Sequence, residues 1–142
     1  MAKLDHVALR VSDMDAAVAF YTEKLGLNLL FRKKDASHHE EFAFLELEGG
    51  NLELLASLDE NGNSIPFEAP QPEKPYCPHV AIETQDMAEL MNLAARKKIP
   101  VAAGPFEIGG EVRWVYLTDP DNNIIEFVQW LHTPAASSPI DG

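Results

Sequence analysis

The chain has 142 residues, 46% hydrophobic and 24% charged, a balance that suits one soluble globular domain. Its formal net charge of −12 at pH 7 argues against nucleic acid and anionic membrane as partners, because basic patches bind such surfaces. A single cysteine, Cys77, excludes an internal disulfide framework, fits a reducing cytoplasm and reads as a bystander beside Pro78.

In chain order, Leu4 to Val11 alternates as a half-buried strand. Met1-Ala2-Lys3-Leu4-Asp5 lacks the apolar core of a signal peptide, and no run approaches the roughly 20 apolar residues of a membrane span, so a cytoplasmic location is expected. Ser12-Asp13-Met14-Asp15 predicts a helix start with Ser12 as N-cap. Met14, Ala17, Val18, Tyr21 and Leu25 form its apolar stripe, and Gly26 is its stop. Asn28 to Lys33, Phe42 to Glu48 and Leu52 to Ser57 read as strands, with Gly49-Gly50-Asn51 as a hairpin turn. Residues 4–58 are thus a β-α-β-β-β unit.

Residues 59–78 hold five prolines and Asn61-Gly62-Asn63, and read as a connector without regular structure. A segment of this length is either a linker between two halves or a cover over a functional site. The order of elements then repeats over 79–131. His79 to Thr84 is a strand, and Asp86-Met87-Ala88-Glu89 opens a helix with Met87, Leu90, Met91 and Ala94 on its stripe. Pro100 stops it, Val101 to Ala103 is a short strand, and Gly104-Pro105 and Gly109-Gly110 are turns. Val112 to Thr118 and Ile124 to Leu131 are strands about the turn Asp119-Pro120-Asp121-Asn122-Asn123, and 133–142 reads as a flexible tail.

The second half repeats residues of the first at a constant offset. His6-Val7-Ala8-Leu9-Arg10 and His79-Val80-Ala81-Ile82-Glu83 are 73 residues apart, as are Asp13-Met14 and Asp86-Met87, and Glu53 and Glu126. A duplicated unit is the simplest account. Each copy carries one His near its start and one Glu near its end. A lone His on a strand is more often a satisfied core or edge residue than a ligand, and a lone Glu usually faces water. Here, though, Glu53 is flanked by Leu52 and Leu54, and Glu126 by Ile125 and Phe127. A carboxylate in such a strand needs a partner or a metal. Copies packed about a pseudo-twofold axis would bring two imidazoles and two carboxylates together, a donor set for one divalent ion: Zn, Ni, Co, Fe or Mn. His38, His39 and His132 have no repeat partner and are not expected to be ligands, and Asp119 and Asp121 read as turn residues.

The duplication, the His-Val-Ala runs, Leu52-Glu53-Leu54-Leu55 and Asp119-Pro120-Asp121-Asn122-Asn123-Ile124-Ile125-Glu126-Phe127 resemble the vicinal oxygen chelate superfamily over roughly residues 3–131. That group includes glyoxalase I, fosfomycin-resistance proteins, extradiol dioxygenases and methylmalonyl-CoA epimerase. The resemblance implies an α+β fold, tandem βαβββ modules forming a curved mixed sheet around a metal site, and a homodimer. It places the metal ligands on His6, Glu53, His79 and Glu126. Four ligands of this kind look most like glyoxalase I, which isomerises the hemithioacetal of methylglyoxal and glutathione. The carboxylates Glu126 and Glu53 are then the catalytic pair, Glu126 as general base, with glutathione as cosubstrate. Arg10, four residues after His6, matches an arginine that contacts glutathione in that enzyme, and Ser57 stands where an Asn is common. Pro75 stands where the animal enzyme has an Arg. Asn63-Ser64-Ile65-Pro66 after the first acid strand resembles methylmalonyl-CoA epimerase, the alternative enzyme. A dioxygenase of the same fold and a non-catalytic small-ligand-binding resistance protein are further readings.

Overall fold

The computed structural model describes residues 1–132, so the tail at 133–142 lies outside the described residues. Two compact units emerge, one of residues 1–70 with the turn Pro120–Asn123, the other of residues 71–119 with the chain from Ile124. The connector therefore divides, its first part belonging to the first unit and the rest to the second. Each unit builds a four-stranded mixed sheet with a helix, an α+β arrangement in two modules.

In the first unit, β1 (His6–Arg10), β2 (Leu29–Asp35), β3 (Glu40–Leu45) and β4 (Asn51–Ser57) lie in the order β1-β4-β3-β2. β1 runs parallel to β4, and the other pairs are antiparallel. Strict alternation in β4 buries Leu52, Leu54 and Ala56 against helix α1 (Met14–Ala19), and leaves Glu53, Leu55 and Ser57 on the opposite, half-open face.

Ser12 is not the N-cap. Asp13 is, its Oδ1 accepting from the Ala16 amide at 3.1 Å. Ser12 is engaged elsewhere: its amide donates to Asp121 Oδ2 at 3.1 Å and its hydroxyl to Oδ1 at 2.6 Å. The second copy shows the same logic, with Asp86 taking the Glu89 amide. Asp121 is thus a 7% exposed tie inside the first unit as well as a turn residue. Asp121→Ala strands both Ser12 donors, and urea unfolding is expected to show a loss of about 1–3 kcal/mol.

After Ala19 the helix widens into a π-helical stretch, Phe20–Lys24, in which the Leu25 amide reaches back to the Phe20 carbonyl. The wider turn lets the adjacent rings of Phe20 and Tyr21 both face inward, 5.0 Å apart and edge to face. Gly26 ends it with φ 74°, a left-handed conformation that glycine takes without strain.

The second unit repeats the plan with β5 (His79–Glu83), β6 (Val101–Ile108), β7 (Val112–Thr118) and β8 (Ile124–Trp130), ordered β5-β8-β7-β6, and helix α2 (Met87–Arg96). Met87, Leu90 and Ala94 of the α2 stripe are buried, and Met91 is half-buried. Gly104-Pro105, expected as a turn after a short strand, instead lies within β6. Proline is tolerated there because β6 is an edge strand and its register against β7 slips on either side of Ala103. Gly104 fits where a Cβ would press on the Phe106 ring at 3.1 Å and the Trp114 carbonyl at 3.2 Å.

Candidate functional site

Both Glu residues sit on the half-open face of their sheet, each reached by the His of the neighbouring parallel strand. In the first unit, His6 Nε2 lies 3.4 Å from Glu53 Oε1, and in the second, His79 Nε2 lies 3.4 Å from Glu126 Oε1. The two carboxylate side chains are 14% and 15% exposed, so both pairs are partly withdrawn from water.

The other ring nitrogens decide the chemistry. His79 Nδ1 lies 2.8 Å from the Tyr76 carbonyl, which can only accept, so Nδ1 carries the proton. His6 Nδ1 lies 2.6 Å from Asp5 Oδ2, a carboxylate with the same requirement. In their neutral forms both rings therefore turn an Nε2 lone pair toward a carboxylate oxygen, acceptor facing acceptor, a contact that a cation reconciles. Two donors each roughly 2.1 Å from one ion and about 90–110° apart lie about 3.0–3.4 Å from each other. The observed spacing fits that, and partners on Nδ1 are what orient metal-binding imidazoles. Among the described residues, no three His, Cys, Asp or Glu side chains stand together as one metal-holding group; the structure brings the four into two pairs.

The aromatic cross-strand partners of the two acids also match. Phe44 is paired with Glu53 and sets its ring edge-to-face against His6 at 5.2 Å. Tyr116 is paired with Glu126 and sets its ring against His79 at 5.6 Å. Tyr116 differs by one atom that matters: its hydroxyl hydrogen-bonds Glu126. Burial raises the Glu126 carboxyl above the ordinary range, opposed by His79 and by the Tyr116 hydrogen bond. Burial likewise pushes the Tyr116 phenol up. The Asp5 hydrogen bond, with the nearby Glu53 charge, raises His6 against a smaller desolvation effect. Tyr76 serves its unit twice, since its carbonyl holds His79 while its ring stacks on Tyr116 at 4.6 Å.

Arg10 shares the face of β1 that carries His6, as strand parity requires, and Ser57 shares the Glu53 face of β4. His38 is bonded to Asp35 at 2.7 Å. Asp5, Tyr76 and Tyr116 were not expected from the sequence. Tyr116 escapes the repeat because it lies 72 residues after Phe44, the turn beyond it being one residue longer than in the first copy.

Residues 3–127 match the model of the Glyoxalase/Bleomycin resistance protein/Dioxygenase superfamily. The chain belongs to that superfamily. It is 28% identical to a probable lactoylglutathione lyase of Vibrio cholerae over 87% of this chain and 88% of that one. It is 29% identical to a lactoylglutathione lyase of Haemophilus influenzae over 87% and 90%. Among solved structures, the trypanothione-dependent glyoxalase I of Leishmania major superposes with a TM-score of 0.72 at 24% identity, over 91% of this superfamily member and 87% of that protein. No helix among the described residues is long and apolar enough to cross a membrane.

Proposed function

We propose that the protein is a divalent-metal-dependent lyase of the glyoxalase I type, moving a proton next to a carbonyl in the hemithioacetal of a 2-oxoaldehyde and glutathione. The observation that carries this reading is the matched His–Glu pair in each unit, with the same 3.4 Å spacing and the same Nδ1-protonated imidazole. We assign His6, Glu53, His79 and Glu126 as the donors for a divalent ion: Zn, Ni, Co, Fe or Mn. When bound, such an ion supplies Lewis acidity to the substrate oxygens.

The chain's own groups do the rest. Glu126, raised in proton affinity by burial, removes the proton from the hemithioacetal carbon and returns it to the adjacent carbon, so no proton is gained or lost overall. The Tyr116 hydroxyl holds that carboxylate in place through the transfer. Glu53 stands as its counterpart without a hydroxyl partner of this kind. Arg10 takes a carboxylate of the glutathione part, and Ser57 lies on the Glu53 face within the substrate side of β4. A homodimer in the cytoplasm is the working form we propose. Supporting a second copy, the edge strands β2 and β6 expose Leu29, Leu30, Phe31, Val101 and Phe106.

The near-equivalence of two acids favours one second reading, an epimerase that works on both faces of a carbon next to an acyl-CoA carbonyl. One assay separates the two. Protein loaded in turn with Ni, Zn, Co and Mn is given either hemithioacetal or methylmalonyl-CoA in deuterium oxide. Thioester formation that requires glutathione supports the lyase. Deuterium entering only the acyl-CoA replaces it with the epimerase, and neither result with any metal leaves a ligand-binding protein.

A further inference from the structure

The first part of the connector is built rather than featureless. Asp59 Oδ1 accepts from the amides of Asn61 and Asn63, both at 2.9 Å, Leu58 bridges Ser64, and the Ile65 amide donates to the Ser57 carbonyl at 2.8 Å. These bonds fold the chain back along the end of β4. Phe67 then arrives with its ring centre 4.4 Å from the Arg10 guanidinium carbon. The Arg10 main chain is fixed as well, its carbonyl accepting from Asn123 Nδ2 at 2.8 Å and the next residue but one held by Asp121.

Arg10 is set apart from the other arginines. Arg32, Arg96 and Arg113 each pair with a carboxylate, and the chain has 23 acidic residues against 11 basic ones. Among the described residues, no carboxylate is paired with Arg10. A guanidinium lying over an aromatic ring keeps its in-plane N–H groups free, and those groups fit a carboxylate two at a time.

We infer that Phe67 is a positioning residue that holds the Arg10 guanidinium ready for a substrate carboxylate, so that the connector sets substrate affinity. This rests on the role given to Arg10 in the proposed function, and the test separates the two. The full-length, metal-loaded protein is assayed with the hemithioacetal, and S-methylglutathione binding is measured by titration calorimetry. Phe67→Ala is expected to raise KM and the S-methylglutathione Kd about five- to tenfold with kcat within twofold of the parent. Phe67→Tyr restores both, and in an Arg10→Ala background Phe67→Ala has no further effect. If the parent neither turns over hemithioacetal nor binds S-methylglutathione, the functional reading falls and this inference with it. If the parent binds but Phe67→Ala matches it, or still weakens binding without Arg10, the inference alone is overturned. A melting curve within a few degrees of the parent for Phe67→Ala confirms that the comparison is between folded proteins.

Discussion

Glu126→Gln is expected to lower kcat about a thousandfold while leaving the fold intact. The amide is nearly isosteric, so packing beside Phe127 and Ile125 survives, and Tyr116 still finds an acceptor. What disappears is a carboxylate whose proton affinity is raised by burial, the property a general base on carbon needs. A loss of that size equals about 4 kcal/mol of transition-state stabilisation. Glu53→Gln, at a site with no hydroxyl partner of the Tyr116 kind, is expected to cost more in metal retention than in the chemical step. Steady-state kinetics at saturating metal separate the two. Should Glu126→Gln keep more than a tenth of the parent kcat, the base lies elsewhere.

The second large effect concerns His79. His79→Ala removes an Nε2 aimed at Glu126 and fixed from behind by the Tyr76 carbonyl. Loss of a partner behind a ligand costs roughly 10–100-fold in metal affinity, and loss of the ligand itself is expected to exceed that range. Metal analysis after gel filtration should find the parent loaded and His79→Ala nearly empty. Chelation should abolish turnover in the parent, and reloading should restore it. Asp5→Asn, which keeps an acceptor behind His6 but removes its charge, should fall within the lower range. A His79→Ala protein that holds metal as the parent does would remove His79 from the ligand set, and turnover that survives chelation would remove the ion from the mechanism.

Much of this was legible before any coordinates. The shared offset of 73 picked out the two His–Glu pairs, because a duplicated unit places equivalent residues at equivalent points of two like sheets. Side-chain alternation then put Arg10 with His6 and Ser57 with Glu53. Features that depend on long-range partners were not legible. Ser12 has the chemistry of an N-cap, and only the distant Asp121 takes it away. Gly104-Pro105 has the chemistry of a turn, and only an edge position with slipped register lets a strand pass through it. The connector showed its prolines but not the Asp59 turn that folds it back, so the meeting of Phe67 with Arg10 could not be read from spacing. Tyr116 was hidden by a single inserted residue.

That insertion accompanies a chemical difference between the strands that face the two acids. With phenylalanine opposite one acid and tyrosine opposite the other, two arms that began as copies no longer offer their carboxylates the same neighbour. In the proposed reaction a single base, Glu126, returns hydrogen from one side of a flat carbon, so the lactoyl product of that reaction should leave as a single enantiomer.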